Sequence, residues 1–167
     1  STNTRLSFNE ALSYANRNLL GDIVIIANND ISFDDTLKNL QDPLVKKMIT
    51  TEYHCFCLSR HELHPNNQSI GTQCGLNYMG SHDAFILSPP LPYPLLNRFP
   101  ANDVYLGQVG ADARFVYEAR RAGLVVSNPC KTIRSVHHHK SGVRTAQPGV
   151  EANLGGKSDL AFPGHLE

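Results

Sequence analysis

The stretch Asp22-Ile23-Val24-Ile25-Ile26-Ala27, followed by Asn28-Asn29-Asp30, decides the fold class. Its apolar residues are mostly β-branched and do not alternate with polar ones. This pattern is typical of a strand that is covered on both faces in a parallel sheet. We therefore expect a central strand of an α/β domain here. Asp30 follows the strand's carboxyl end, which is where open α/β sheets bind their ligands.

Helical patterns lie on both sides of this strand. Ser7 and Glu10 form a capping box, and the apolar spacing after them predicts a helix over residues 8–20 that ends at Gly21. A short helix is expected from Asp34 to before Pro43, and another over residues 112–122. The remaining predictions are strands at residues 53–59, 84–87 and 124–127, a helical turn at 95–99 and a surface loop at 61–78.

Composition excludes some classes of function. The chain has 167 residues, with Lys+Arg and Asp+Glu both at 15, and it has no basic stripe, so nucleic acid is disfavoured as a ligand. No run approaches the roughly 20 apolar residues of a membrane span. We expect one domain over residues 1–147 and an irregular Gly-rich tail over 148–167. The compartment stays open, with the cytoplasm favoured, since a targeting segment could precede Ser1.

The four cysteines are Cys55, Cys57, Cys74 and Cys130. They could form two disulfides, but Cys55 and Cys57 share one face of a predicted strand. A zinc site is disfavoured because the chain has no CxxC pair. We interpret all four as reduced core or rim thiols.

Two polar segments have the residue types of a metal site. Asn28, Asn29 and Asp30 offer a carboxylate and neutral oxygens, the hard ligands that Mg²⁺ and Mn²⁺ prefer. The structural alternative is a turn with Asx hydrogen bonds. His137 and His139 lie two residues apart, so in an extended segment both imidazoles point to one side. The structural alternative for this run is a solvated edge.

Short polar motifs also occur in a recognisable order along the chain. They are Arg5 with Ser7-Phe8 and Tyr14-Ala15-Asn16, Ile26–Phe33, Leu58-Ser59-Arg60, Gly80–Ile86, Leu106–Arg114, and Asn128-Pro129 with His137, His139, Ser141 and Arg144. Together they resemble a family of small GT-A glycosyltransferases typified by the capsid-glycosylating domain of large algal viruses. His82 departs from the family, which usually has Gln there, as do Phe85, Ala111 and Ala113.

The resemblance implies a GT-A fold, a three-layer α/β sandwich with a mainly parallel sheet. It also implies that part of the N-terminal nucleotide-binding unit is missing, since the family usually has a strand-helix-strand unit before the position of Ser1. The implied activity is metal-dependent transfer of a sugar, with inversion, from a nucleotide-diphosphate sugar to a saccharide or glycoprotein acceptor. The implied cofactor is Mn²⁺ or Mg²⁺.

Site residues follow from the resemblance and from their chemistry. Asp30 with His139, or else His137, would hold the cation. Asn28, Asn29, Lys140 and Arg144 would bind the donor diphosphate. Asp112 would be the general base, although a helix N-cap is its structural alternative, and Asp83 is its rival.

Two other functions stay open from the sequence. One is a non-catalytic carbohydrate- or metal-binding remnant of the same fold. The other is a metal-dependent hydrolase built on Asp30 and residues 137–139, which would need three protein ligands for its metal.

Overall fold

The structure is a computed structural model that describes residues 5–63, 69–70, 73–75, 78, 80–99, 104–138 and 157–166. Its helices are α1 Phe8–Asn18, α2 Pro43–Thr50, α3 Tyr93–Leu96 and α4 Ala111–Arg121, with a 3-10 helix at Asp35–Gln41. Its strands are β1 Val24–Ala27, β2 Ile31–Phe33, β3 His54–Leu58, β4 Arg60–Leu63, β5 Ser69–Ile70, β6 Ala84–Leu87, β7 Val125–Ser127 and β8 Ser135–His137. The predicted mixture of helices and strands is confirmed.

The described strands form two mixed four-stranded sheets, which we call the apolar sheet (β1-β6-β3-β7) and the polar sheet (β2-β8-β4-β5). In the apolar sheet only β3 and β7 pair in parallel, and in the polar sheet only β4 and β8 do. The prediction of a mainly parallel sheet therefore differs from the structure. An apolar run without alternation reports cover on both faces, and it carries no information about strand direction.

The position of β1 also differs from the prediction. The strand order places β1 at an edge of the apolar sheet, and β6 and β3 occupy the centre. Within β1 only Ile26 is fully buried. The apolar run is nevertheless explained, because Ile26 belongs to the core on one face of the sheet while Ile25 and Ala27 pack against the core on the other.

Two hydrophobic cores cover the two faces of the apolar sheet. On one face, α1, α3 and α4 contribute to a cluster with four aromatic rings, in which Phe8 stacks on Phe115 with 4.9 Å between ring centroids. On the other face, Val45 and Ile49 of α2 pack with Phe56 and Ile86. Neighbouring residues of β3 and β6 point to opposite faces, so both central strands are buried throughout their apolar length.

Most predicted elements are confirmed, and the exceptions have local causes. The capping box of α1 is present, and β3, β6, β7 and α4 lie within a few residues of their predicted positions. The sequence reading missed α2, although Asp42 caps it and Pro43 occupies its first turn. The predicted loop at 61–78 contains most of β4 and all of β5, whose polar side chains hide the strand pattern.

The cysteines are of two kinds. Cys74 and Cys130 form a disulfide across 56 residues of sequence, with Cα atoms 5.9 Å apart, so reading them as reduced thiols was wrong. Cys55 and Cys57 are free and buried, as expected. The pairing could not be read from the sequence, because only tertiary folding brings Cys74 and Cys130 together.

Residues 157–166 of the C-terminal tail pack on the fold without forming a helix. Pro163 makes an isolated bridge with Asn128, and Ala161 is fully buried. Asn128 donates from its amide to the Ala161 carbonyl at 2.9 Å. This part of the tail thus covers the end of β7, while residues 148–156 lie outside the described part of the chain.

Candidate functional site

Strand register gathers polar residues at one edge of the apolar sheet. Ala27 of β1 and Leu58 of β3 both pair with Ala84 of β6, because β6 runs antiparallel to its two neighbours. The residues just beyond this row are Asn28, Ser59 and Asp83. The chain passes from the apolar sheet to the polar sheet here, since β1 leads to β2 and β3 leads to β4.

Asp83 is a buried carboxylate held from several sides. Arg60 donates to both of its oxygens, at 3.1 and 3.3 Å, and Asn28 donates from Nδ2 to Oδ1 at 3.2 Å. The hydroxyl of Ser81 donates to Oδ2 at 3.1 Å. Asp83 is only 6% exposed, so these donors replace the water that the charge has lost.

The polar sheet extends this arrangement to His137 and Asp30. Ile31 of β2 and Glu62 of β4 are the register partners of His137 in β8. Nδ1 of His137 lies 3.0 Å from the Glu62 carboxylate, and Nε2 lies 3.0 Å from the carboxylate of Asp30. Arg60 donates from Nε to Glu62 at 2.7 Å.

The result is a continuous chain of polar contacts, which we call the polar network: Asn28, Asp83, Arg60, Glu62, His137 and Asp30. It runs from the buried edge of the apolar sheet to the surface, where the side chain of Asp30 is 45% exposed. Three carboxylates stand against one guanidinium, so the network is electrically suited to a cation at its exposed end.

Glu62 connects the two halves of the network. Burial alone would raise the pKa of its carboxyl, but hydrogen bonds from His137 and Arg60 and the charge of Arg60 outweigh burial and lower the pKa below its usual value. Glu62 is therefore ionised at neutral pH, and an ionised Glu62 can only accept hydrogen bonds. The ring nitrogen of His137 that faces it must carry the proton.

That proton arrangement fits a divalent cation. Both ring nitrogens of His137 lie at hydrogen-bond distance from a carboxylate, and a cation would have to replace the proton between Nε2 and Asp30 while Nδ1 keeps its proton toward Glu62, the carboxylate partner that metal-binding histidines usually have. Adjacent ligands of an octahedral ion with ~2.1 Å bonds lie about 3.0 Å apart. The separation of His137 Nε2 and Asp30 Oδ2 is also 3.0 Å. Among the described residues, no group of three or more potential ligands is placed to hold a metal.

Asp112 lies beside the network, at the start of α4. Gly110 is the N-cap of that helix, so Asp112 is not the N-cap that was its structural alternative in the sequence. One carboxylate oxygen accepts a hydrogen bond from the backbone N–H of His82 at 2.9 Å. Burial raises the pKa of Asp112, the nearby Asp83 charge adds to the rise, and the hydrogen bonds from the backbone only reduce it. A raised pKa favours proton uptake by this carboxylate.

The structure brings several of the predicted site residues together. Asp30, His137, Asn28 and Asp83 are all members of the polar network, and Asn29 is exposed in the turn before β2. The remaining predicted residues, His139, Lys140 and Arg144, lie outside the described residues.

The sequence reading gave no role to Arg60 or Glu62. They lie two residues apart in β4, so their side chains share one face of the strand. The signal for them was therefore an alternating pair of charges directly after the buried strand β3. The polar residues from His61 onward predict a loop and so hide this pair of charges.

A surface pocket lies away from the network, along the 3-10 helix. It is lined by Asp34, Asp35, Leu37, Lys38 and Gln41. None of the predicted site residues line it.

Comparisons with known proteins found no match for the chain. No family model matches it, and no curated protein or solved structure does. Within the described part of the chain, none of the helices has the length and apolar character needed to cross a membrane. The assignment of function therefore rests on the residues and their geometry.

Proposed function

We propose that this chain is the catalytic part of a metal-dependent GT-A glycosyltransferase that moves a sugar, with inversion, from a nucleoside-diphosphate sugar to a saccharide or glycoprotein acceptor. The observation that carries the proposal is the meeting of Asp30 and His137, which are 107 residues apart in sequence. The family resemblance implies Asp30 as a metal ligand with His139, or else His137, and His139 lies outside the described residues. The His137 side chain is buried and that of Asp30 is 45% exposed, so their contact brings the polar network to the surface, where a cation could reach it.

Some residues of the proposed site would bind the cation directly, and others would orient these ligands. Asp30 and His137 would hold Mn²⁺ or Mg²⁺, and His139, Lys140 and Arg144 lie close to His137 in sequence. Glu62 orients the imidazole of His137 and keeps the proton on Nδ1. A bound divalent cation would stabilise the charge of the departing nucleoside diphosphate.

Asp112 is the better candidate for general base. It would take the proton of the acceptor hydroxyl, and the oxygen so released would attack the anomeric carbon as the nucleoside diphosphate leaves with the bonding electrons. Asp83 has the opposite character, because Arg60, Asn28 and Ser81 all donate to it. A carboxylate held in this way serves to position its neighbours, and its lone pairs are already used.

A second candidate is a non-catalytic binding module of the same fold. The observation that favours it is that both ring nitrogens of His137 already face carboxylates within the protein. Such a module would need Asp30 and His137 for shape or for carbohydrate contacts, and Asp112 would have no chemical role.

A thermal-shift panel of nucleoside diphosphates with and without Mn²⁺ separates the candidates. A specific ligand at about 100 times its Kd adds about 2.7 kcal/mol to the stability of the native state. We expect this gain for one nucleotide in the presence of Mn²⁺ and its loss in Asp30→Ala. Asp22→Ala is the matched control, since Asp22 is an exposed carboxylate before the opposite end of β1. An unchanged Mn²⁺ response in Asp30→Ala would refute the metal site, and no response to any nucleotide would favour the binding module.

The base is tested separately, by a transfer assay on Asp112→Asn. We expect loss of transfer by a factor of roughly 10²–10⁴ with unchanged nucleotide binding. Full activity in this variant would exclude Asp112 as the base.

A further inference from the structure

The side chain of His82 is buried next to Asp112 with one nitrogen unused. His82 is 3% exposed, and its Nδ1 has no hydrogen-bond partner among the described residues. The carboxylate of Asp112 lies close to this nitrogen, with Nδ1 4.0 Å from Oδ2. A buried polar atom without a partner is uncommon, so this nitrogen calls for an explanation.

The other ring nitrogen shows where the proton of His82 belongs. Nε2 lies 3.1 Å from the Tyr78 hydroxyl, 3.2 Å from the Ala161 carbonyl and 3.3 Å from the Ala161 N–H. The Ala161 carbonyl already accepts from Tyr78 and from Asn128, both at 2.9 Å. The Ala161 N–H needs an acceptor, and an unprotonated Nε2 provides one. The proton of the neutral ring then sits on Nδ1, facing Asp112.

The charge states of the pair agree with this placement. Burial lowers the pKa of His82, more than the Ala161 contact and the Asp112 charge raise it, so the ring is neutral at neutral pH. The distance of 4.0 Å exceeds a hydrogen bond, and a movement of about 1 Å would make one. Catalytic hydrogen bonds are often long before substrate binds and shorten in the complex.

We propose that His82 is a positioning residue for Asp112, whose Nδ1–H holds one carboxylate oxygen while the other takes the proton of the acceptor hydroxyl. The backbone N–H of the same residue already donates to that oxygen, so His82 would fix it with two donors. This inference rests on the proposed function, because it assumes that Asp112 is the base. It gives a role to His82, which stands where the family that the chain resembles usually has glutamine.

Other ionisable groups around the pair are few and identifiable. They are Tyr78, Asp83, Arg120, Asp159 and Cys57. Burial raises the pKa of Tyr78 to about 12, and Arg120 is always charged, so neither changes state near neutral pH. Arg120 is also paired with Asp159, which lowers the pKa of that carboxyl. The titration of His82, whose pKa burial moves to the acidic side of its usual range, can therefore be followed at the imidazole itself.

Two substitutions of His82 form a matched pair. His82→Leu removes both ring nitrogens, whereas His82→Asn places an amide N–H near the position of Nδ1 and also lacks Nε2. Both variants lose the Tyr78 and Ala161 contacts, so only the donor toward Asp112 distinguishes them. We expect kcat to fall about tenfold in His82→Leu, with the KM for the donor unchanged, and to recover in His82→Asn.

The pH profile of kcat and the NMR titration of His82 would both change if His82 positions Asp112. Neither would change if His82 had only a structural role. Loss of the N–H donor raises the pKa of Asp112, so the acidic limb of the kcat profile moves to higher pH in His82→Leu. Loss of the carboxylate charge in Asp112→Asn lowers the pKa of His82, which NMR of the imidazole measures without any substrate. This NMR measurement still tests the proposal if His82→Leu does not fold, because it uses the Asp112→Asn variant.

The outcomes separate this inference from the function on which it rests. An active wild-type protein whose His82 titration is unchanged in Asp112→Asn overturns the role of His82 and leaves the transferase intact. Equal activity in His82→Leu and wild type does the same. A wild-type protein that transfers no sugar from any nucleotide donor overturns the proposed function and the role of His82 together, even where the two titrations are coupled.

Discussion

The apolar sheet and the polar sheet differ in what their central strands carry. The central strands of the apolar sheet, β3 and β6, bury Cys55–Leu58 and Ala84–Leu87 between two hydrophobic cores. The central strands of the polar sheet, β4 and β8, carry Arg60, Glu62 and His137. The first sheet has the composition that burial of apolar area stabilises. The second contains ionisable groups that lose hydration when they are covered.

This difference separates the part of the molecule that folding requires from the part to which we assign the proposed function. Replacing a buried ion network by apolar residues of similar size is often neutral or stabilising, so folding alone does not require one. The polar sheet keeps its network where the chain leaves the apolar sheet, at Asn28, Ser59 and Asp83. The apolar sheet thus sets the positions of the polar network, and the polar sheet carries His137, one of the two proposed metal ligands.

Among the substitutions that test this comparison, one in the aromatic core is expected to cause the largest loss of stability. Phe115 is fully buried and contacts the rings of Phe8, Phe85 and Phe99. We expect Phe115→Ala to lower the free energy of unfolding by about 3–5 kcal/mol, because it removes a ring from a packed cluster and leaves a cavity. Urea denaturation measures the change. A loss below about 1 kcal/mol would mean that this face of the apolar sheet is not the main core.

A smaller loss is expected at the centre of the polar network. Arg60→Ala leaves Asp83 and Glu62 without their shared cation, which for fully buried pairs costs about 3–5 kcal/mol. The Arg60 side chain is 20% exposed, so we expect about 2–3 kcal/mol. Lys47→Ala is the control, since the Lys47–Glu52 pair is exposed to solvent and its loss should change stability little. Equal losses in the two variants would show that the network is solvated like a surface pair.

The smallest effect is expected for Glu62→Gln, and it depends on pH. Because the pKa of Glu62 is lowered on folding, its contribution to stability is present above the usual Glu pKa and is lost as pH falls through the folded value. We expect a loss of about 1–2 kcal/mol at pH 7, the scale of hydrogen bonds to a charged group. Unfolding curves from pH 7 to pH 3 should converge for variant and wild type. A difference that is constant with pH would mean that Glu62 acts by shape.

The sequence by itself determined those helices and strands whose signals come from residues close together in the chain. The capping box at Ser7 and Glu10 predicted α1, continuous apolar runs predicted β3 and β6, and the spacing of Phe115, Val116 and Ala119 predicted α4. The predictions of these helices and strands are confirmed because helix caps and burial patterns depend on residues close together in the chain. The metal site of Asp30 with His139, or else His137, stays a prediction.

Tertiary structure alone decided strand direction, the edge position of β1, the Cys74–Cys130 pairing and the inclusion of Arg60 and Glu62 in the network. An apolar run reports that both faces of a strand are covered, and this is the same for a parallel or antiparallel strand and for an edge or centre position. Likewise, the partner of a charge or a thiol lies far along the chain. Such long-range pairings are fixed only when the whole chain packs, so no local pattern records them.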